Sequence, residues 1–266
     1  MRYDECMSAL QAALLGLLQG FTELLPISSS GHLVIAETYF HIGTSSQMQS
    51  FDIILHGGSL LALLVCFPVL WWRMAVSPFT RDRAHFKLLL FLIIATIPAA
   101  IAGVFLKDII EQATRSVTFV ASGFFFTGVI LIASERMKER KDTASIKFID
   151  VLLIGFAQAL ALPPGISRSG LTISAGRSRG LSRRAAVDFS FLMAVPVIAG
   201  ATVLTCIDLL KGVIALPPLA ISLTGVCSSF GASILAILLL RKFVQKHSLA
   251  WFVLYLFPVA LILLAL

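Results

Sequence analysis

The sequence predicts an all-α polytopic membrane protein with six transmembrane helices and two oppositely oriented re-entrant helical hairpins, arranged as an inverted-topology repeat. Three observations predict it. Of 266 residues, 58% are hydrophobic and only 13% are charged, with a mean hydropathy of +0.94, more apolar surface than a soluble domain of this length needs. Two segments 139 residues apart carry the same polar punctuation. The Lys and Arg residues gather in alternate loops.

The apolar runs lie near 51–70, 88–106, 117–134, 187–205, 219–240 and 250–266. Each approaches the about 20 residues that a helix needs to cross the bilayer core. Two more apolar regions, 9–40 and 150–180, are broken midway by Pro, Gly and Ser, which leaves two short helices joined by an irregular tip. Such a tip is tolerated at membrane depth only where protein or a water-filled cavity covers it.

Charge sets the orientation. Segments 71–87, 135–149, 177–184 and 241–249 hold four, five, four and three Lys or Arg, against Arg2, Lys107, Arg115 and Lys211 on the other side. The positive-inside rule places the first set in the cytoplasm and both termini outside. Hairpin 9–40 then enters from outside and hairpin 150–180 from inside. Each half, 9–134 and 150–266, contains one hairpin and three spans. Three is odd, so the second copy is inserted upside down, an arrangement that puts a binding site at the repeat interface. The period is too long for a solenoid, and residues 1–266 read as one intertwined membrane domain.

Several classes are excluded. The net charge of +7 comes from short loops between apolar runs, which argues for membrane orientation and against nucleic acid. Met1 to Ser8 carries Asp4 and Glu5 instead of a basic n-region, and no removable signal peptide is expected. Cys6, Cys66, Cys206 and Cys227 lack metal-ligand spacing and read as small buried hydrophobes. There is no P-loop, dinucleotide fingerprint or HExxH signature.

The chemistry lies in the paired segments. The first contains Gly16, Gln19, Glu23, Pro26, Ser28, Ser29, Ser30, Gly31 and His32; the second contains Gly155, Gln158, Pro164, Gly165, Ser167, Arg168, Ser169, Gly170 and Thr172. Subtracting 139 superposes Gly155 on Gly16, Gln158 on Gln19, Ser167 on Ser28, Ser169 on Ser30 and Gly170 on Gly31. Glu23 and His32 in one copy therefore face Arg168 in the other, as a split site would require.

An Arg within a membrane-embedded segment is costly unless paired, which marks Arg168 as functional. With Ser167, Ser169, Gly170 and Thr172 at the start of a short helix, it forms a phosphate cradle. The alternative is that it neutralises a buried carboxylate, and Glu23 satisfies both readings. Glu23 and Gln19 lie four apart on one helix face. Glu23 suits a hard divalent cation or the orientation of a base, and the alternative is a polar pair that satisfies the hairpin break. The two glutamines read as hydrogen-bonding struts with some ligand capacity.

His32 suits a general acid, a general base or a nucleophile toward phosphorus, against the alternative of a satisfied core residue. Ser28, Ser29 and Ser30 are either anion ligands or helix contacts, and Ser29 aligns with Arg168. His56 either lines the cavity or packs. Asp188 reads as a helix cap, and His41, His85 and His247 read as solvated.

On QGFTELLPISSSGH, PGISRSGLT and the FSFLMAVP run at 189–196, the chain resembles the undecaprenyl-diphosphatase, or bacitracin-resistance, family over nearly its whole length. The resemblance implies hydrolysis of undecaprenyl diphosphate to the monophosphate and inorganic phosphate. That reaction recycles the lipid carrier for peptidoglycan and other cell-wall polymers. The resemblance also implies a divalent cation (Mg²⁺ or Ca²⁺), a bacterial cytoplasmic membrane, and a site open to the outer, periplasmic side. By motif, Glu23, Ser29, His32, Ser167, Arg168, Ser169 and Thr172 would form the functional set. Arg168 and the hydroxyls would hold the diphosphate, Glu23 would bind the cation or orient His32, and Ser29 or His32 would attack.

Many family members carry Glu where this chain has Gln19, which weakens a two-carboxylate metal site. The expected partners are a polyprenyl diphosphate and membrane lipids, with a homodimer left open. The rival reading is a polyprenyl-phosphate transporter, which would need Arg168 but not His32. A scaffold without chemistry leaves Arg168 unexplained.

Overall fold

Helices begin and end where the sequence is punctuated by Ser, Pro and Gly. The computed structural model describes residues 7–40, 42, 45–114, 116–139, 141–212 and 217–265. Arg2, Asp4, Glu5, Cys6, His41, Arg115 and Arg140, with the side chain of Lys107, lie outside the described residues. The helices are α1 (Ala9–Leu24), α2 (Ser29–Phe40), α3 (Ser45–Cys66), α4 (Pro68–Val76), α5 (Arg83–Thr114), α6 (Val117–Glu135), α7 (Phe148–Leu160), α8 (Arg168–Ser178), α9 (Arg183–Leu210), α10 (Leu219–Phe243) and α11 (Val253–Ala265). No β-strand occurs among the described residues, only an isolated bridge between Lys141 and Leu181.

Both expected hairpins are broken helix pairs. α1 starts in a capping box between Ser8 and Gln11 and stops before Pro26, which cannot donate a backbone hydrogen bond. α7 gives way to Pro163, Pro164 and Gly165 before α8 begins. Each second helix is capped by the serine at the matching position. Ser28 Oγ accepts from Gly31 N at 3.4 Å, and Ser167 Oγ accepts from Gly170 N at 3.0 Å.

Residues 83–106 of α5, together with α6, α9 and α10, are long and apolar enough to cross a membrane, and the bent pair α3–α4 makes a fifth. Their outward faces carry exposed Ile93, Ile97, Ile101, Val203, Leu235 and Leu238, a surface suited to lipid. The chain is a polytopic membrane protein. The apolar run 51–70 is not one straight helix, because α3 and α4 meet at 82°. Pro68 restricts Phe67, whose φ of −128° and ψ of 43° end the helix. The run 250–266 is a 3₁₀ turn, Leu249–Phe252, followed by the 13-residue α11.

Small residues bring α1 and α3 onto α10. A Cβ on Gly16 would lie 2.4 Å from the Gly225 carbonyl oxygen, and one on Gly20 would lie 2.3 Å from that of Ser229. Gly58 of α3 meets the Val226 carbonyl in the same way, at 2.6 Å. Hydroxyls stitch the seam: Ser229 Oγ donates to the Leu55 carbonyl at 2.8 Å, and Ser233 Oγ donates to that of Gly20 at 3.2 Å. Close backbones joined by interhelical hydrogen bonds are the usual means of helix association in membranes. α7 packs on α5 by the same device, with Gly155 against the Ala95 carbonyl.

Three of the basic segments, 135–149, 177–184 and 241–249, are tied together by ion pairs. Asp150 pairs with Lys141 and Arg179, each at 2.7 Å. Glu135 holds Arg183, and Arg177 reaches Glu139 at 3.1 Å. Asp188 is not the cap of α9, because Ser182 takes that position; its carboxylate instead bridges Arg184 and Arg241. Cys206 and Cys227 are exposed, not buried, and Cys66 is half-buried. His85 bonds Asp82 at 2.7 Å, and His247 stacks on Phe243.

Candidate active site

The two broken tips meet. Gly165, at φ +90°, lets the second tip fold against α6, where an added Cβ would lie 2.5 Å from the Val120 carbonyl oxygen. Gly31 and Gly123 both lie against Gly165, so the first tip docks onto the same spot. Ser28 adopts φ +71°, uncommon for a residue with a Cβ. Ser169 Oγ ties the tips together by donating to the Leu25 carbonyl at 2.8 Å.

Glu23 is the hub. Its Oε1 accepts from Arg168 Nη2. Its Oε2 accepts from Ser29 Oγ, from Gln19 Nε2 at 3.2 Å, and faces His56 Nε2 at 3.3 Å. Arg168 is steadied by a second bond, from Nη1 to the Ser190 carbonyl at 3.3 Å. His56 Nδ1 lies 2.6 Å from the Asp52 carbonyl and donates to it. An imidazole that donates through Nδ1 can also donate toward the carboxylate only when doubly protonated. In that state Glu23 faces two cations, and the site carries net positive charge.

These groups line a cavity of about 190 Å³. Its polar wall consists of Glu23, Ser28, Ser29, Ser30 and His56 from the first half and Gln158, Ser167, Arg168 and Ser169 from the second. Ala99, Val197, Ile198 and Ala201 of α5 and α9 supply the apolar wall. The N-termini of α2 and α8, with their serine hydroxyls, open onto it. Unpaired amides, hydroxyl donors and a guanidinium suit an anion with several oxygens.

Not every expected site residue reaches this cavity. His32 lies behind the first tip, between Phe124 and Tyr255. Its Nδ1 donates to the Ser28 carbonyl at 2.7 Å, and its Nε2 is 2.6 Å from the Tyr255 hydroxyl. The histidine on Glu23 is His56, so the expectation that Glu23 orients His32 is not what the geometry shows. Thr172 bonds Ser190 Oγ at 2.7 Å behind α8, and Gly170 packs on Thr127. Gln19 sits beside Glu23, and its Oε1 is buried without a hydrogen-bond partner. Gln158 donates to the Ala95 carbonyl at 3.4 Å, and its Oε1 is likewise unpartnered.

Sequence reasoning did not single out Ser190, Tyr255 or Thr127, which donates nothing to the cavity but accepts from Ser167 N at 3.0 Å. Ser190 lies inside the FSFLMAVP run, so a signal for it was present. Tyr255 and Thr127 lie in plain apolar helices and had none.

A sequence model of the family described as "Bacitracin resistance protein BacA" matches residues 12–262. An undecaprenyl-diphosphatase of Thermodesulfovibrio yellowstonii is 41% identical over 245 residues, covering 92% of either chain. One of Syntrophotalea carbinolica is 40% identical over 253 residues, covering 94% of this chain and 95% of its own. Undecaprenyl-diphosphatase 1 of Bacillus licheniformis is 36% identical over 266 residues, with the same coverage.

Proposed function

The chain belongs to the bacitracin resistance protein BacA family, and from that membership we propose that it is an undecaprenyl-diphosphatase, releasing inorganic phosphate from the lipid diphosphate. One observation carries the reading beyond family likeness. The Glu23–Arg168 pair joins the two tips at the wall of a cavity that also presents Ser29 and His56.

Arg168 and the hydroxyls of Ser30, Ser167 and Ser169 hold the diphosphate, and the prenyl tail stays in lipid. The substrate competes with Glu23 for the guanidinium, which frees one carboxylate oxygen. Ser29 already donates to Glu23, so Ser29 Oγ attacks the terminal phosphorus as its proton passes to that carboxylate. The bond from phosphorus to the bridging oxygen breaks, and its electron pair leaves with undecaprenyl phosphate. His56 donates a proton to that oxygen. Water then cleaves the phosphoserine to regenerate Ser29 and give inorganic phosphate.

A divalent cation, Mg²⁺ or Ca²⁺, would enter together with the diphosphate, whose charge offsets that of Arg168 and His56. Glu23 and the unpartnered Gln19 Oε1 would hold it, with diphosphate oxygens completing the shell. Its contribution there would be neutralisation of the diphosphate charge. Among the described residues no group of three or more His, Cys, Asp or Glu could hold a metal unaided.

The finer topology belongs to the same proposal. Six spans and two opposed hairpins, with termini and site facing the periplasmic side of a bacterial inner membrane, are supported by the ion pairs that tie three of the basic segments together. The inverted repeat is supported by the matching serine caps and by the exchange of helices, α1 on α10 and α7 on α5.

Phosphate release from undecaprenyl diphosphate by purified protein, with Mg²⁺ or EDTA, tests the activity. Cation-dependent release is expected. Absence of release across several polyprenyl diphosphates, with lipid movement in liposomes, would favour the transporter.

A further inference from the structure

A larger cavity, about 690 Å³, lies on the opposite side of the first hairpin from the Glu23 site. Its floor is apolar, running from Leu239 and Phe243 of α10 to Phe21 and Leu25 at the end of α1. Its lip carries Lys242, Lys246, His247 and Trp251. Both lysines are exposed, and among the described residues neither has an ion-pair partner. Arg177, Arg179, Arg183 and Arg241 differ, since all four are engaged by carboxylates. The fold therefore leaves two ammonium groups unneutralised at the mouth of one apolar groove.

Trp251 is 57% exposed on the same lip, a position suited to the headgroup layer, where tryptophan rings and snorkelling lysines collect. The ring stack of His247 on Phe243 holds that wall in place. We infer that this groove binds an anionic phospholipid, its phosphate between Lys242 and Lys246 and one chain lying along α10 as far as Phe21 and Leu25.

The chemistry favours a phospholipid over the prenyl diphosphate. The groove lining includes no arginine and no hydroxyl side chain, both of which the Glu23 cavity has. Two lysine point charges suit a single phosphate. The chain end would press on Leu25, whose carbonyl accepts the Ser169 bond that ties the two tips. Lipid occupancy would thus brace the first hairpin from behind. The inference rests on membrane insertion and not on the phosphatase reading.

Native mass spectrometry of the full chain in detergent would test it, with phosphatidylglycerol and phosphatidylcholine of matched acyl chains. Phosphatidylglycerol should bind roughly thirtyfold tighter, as two juxtamembrane lysines at about 1 kcal/mol each predict. The double variant K242E/K246E should lose that preference, and K138E, an exposed lysine elsewhere, should keep it. Leu239→Trp should weaken both lipids by filling the groove with the charges intact, and thermal unfolding confirms that each variant is folded. Equal binding of the two lipids by the wild type would overturn the proposal. So would a preference that survives K242E/K246E, or displacement of phosphatidylglycerol by undecaprenyl phosphate at equal concentration.

Discussion

Glu23 and Arg168 stand 145 positions apart in sequence and form an ion pair where the two broken hairpins touch. Their side chains are 7% and 15% exposed, so neither charge has much water to fall back on. The pair therefore holds the tips together at the wall of the cavity.

Removing one partner should cost stability as well as activity. Arg168→Ala strands a buried carboxylate, and breaking such a pair costs about 3–5 kcal/mol. Arg168→Lys keeps the charge but cannot serve Glu23 and the Ser190 carbonyl together. Denaturation midpoints should rank wild type, then Lys, then Ala, and kcat/KM should fall at least ~100-fold in the Ala variant.

The two histidines of the first half should separate cleanly. His56→Ala removes a group at the cavity wall and one partner of Glu23, so kcat should drop about 100-fold with a smaller loss of stability than Arg168→Ala causes. His32→Ala removes the bonds to the Ser28 carbonyl and Tyr255, so it should lower stability first. Tyr255→Phe should reproduce part of that loss, about 1 kcal/mol for one hydrogen bond. Thermal unfolding and kcat measured side by side check the division of roles.

Gln19→Glu would place a second carboxylate beside Glu23, where the amide now donates at 3.2 Å. Without a cation the two like charges repel, and the variant should unfold at lower temperature than wild type. With Mg²⁺ or Ca²⁺ the difference should shrink or reverse, because two carboxylates make a better ligand pair. Unfolding temperature against cation concentration reads both effects.

Gly165→Ala should be among the most damaging single-methyl changes. The residue sits at φ +90°, and the new Cβ would meet the Val120 carbonyl at 2.5 Å. Strain of this kind costs about 1–3 kcal/mol before the clash is counted. The tip should move off α6, and both the unfolding temperature and kcat should fall.

Much of this was legible in the sequence, for local reasons. Pro26, Pro163, Pro164 and Gly165 break helices wherever they occur, so both hairpins could be read directly. A carboxylate and a guanidinium in apolar segments demand partners, which pointed Glu23 and Arg168 at each other. What escaped depended on long-range packing. The sequence left His56 open between cavity wall and packing, and it lines the cavity; its contact with Glu23 depends on α3 lying close to α10, where Gly58 meets the Val226 carbonyl. His32 looked like the acid–base group because it is adjacent in sequence to the serines. The helix turn carries it to the back of the tip, onto a tyrosine 223 positions away. The bend at Phe67 followed from Pro68, but an apolar run read by hydropathy alone conceals it.

One cavity takes its polar wall from both tips, and the proposed function needs them to act as a single site. The most direct measurement is a double-mutant cycle on phosphate release from undecaprenyl diphosphate, using Glu23→Gln, Arg168→Ala and the pair together. If the residues act as one unit, the double variant should be little slower than the worse single variant, a strongly non-additive result. Losses that simply multiply, in folded proteins, would contradict the claim and mean that Glu23 and Arg168 serve separate sites.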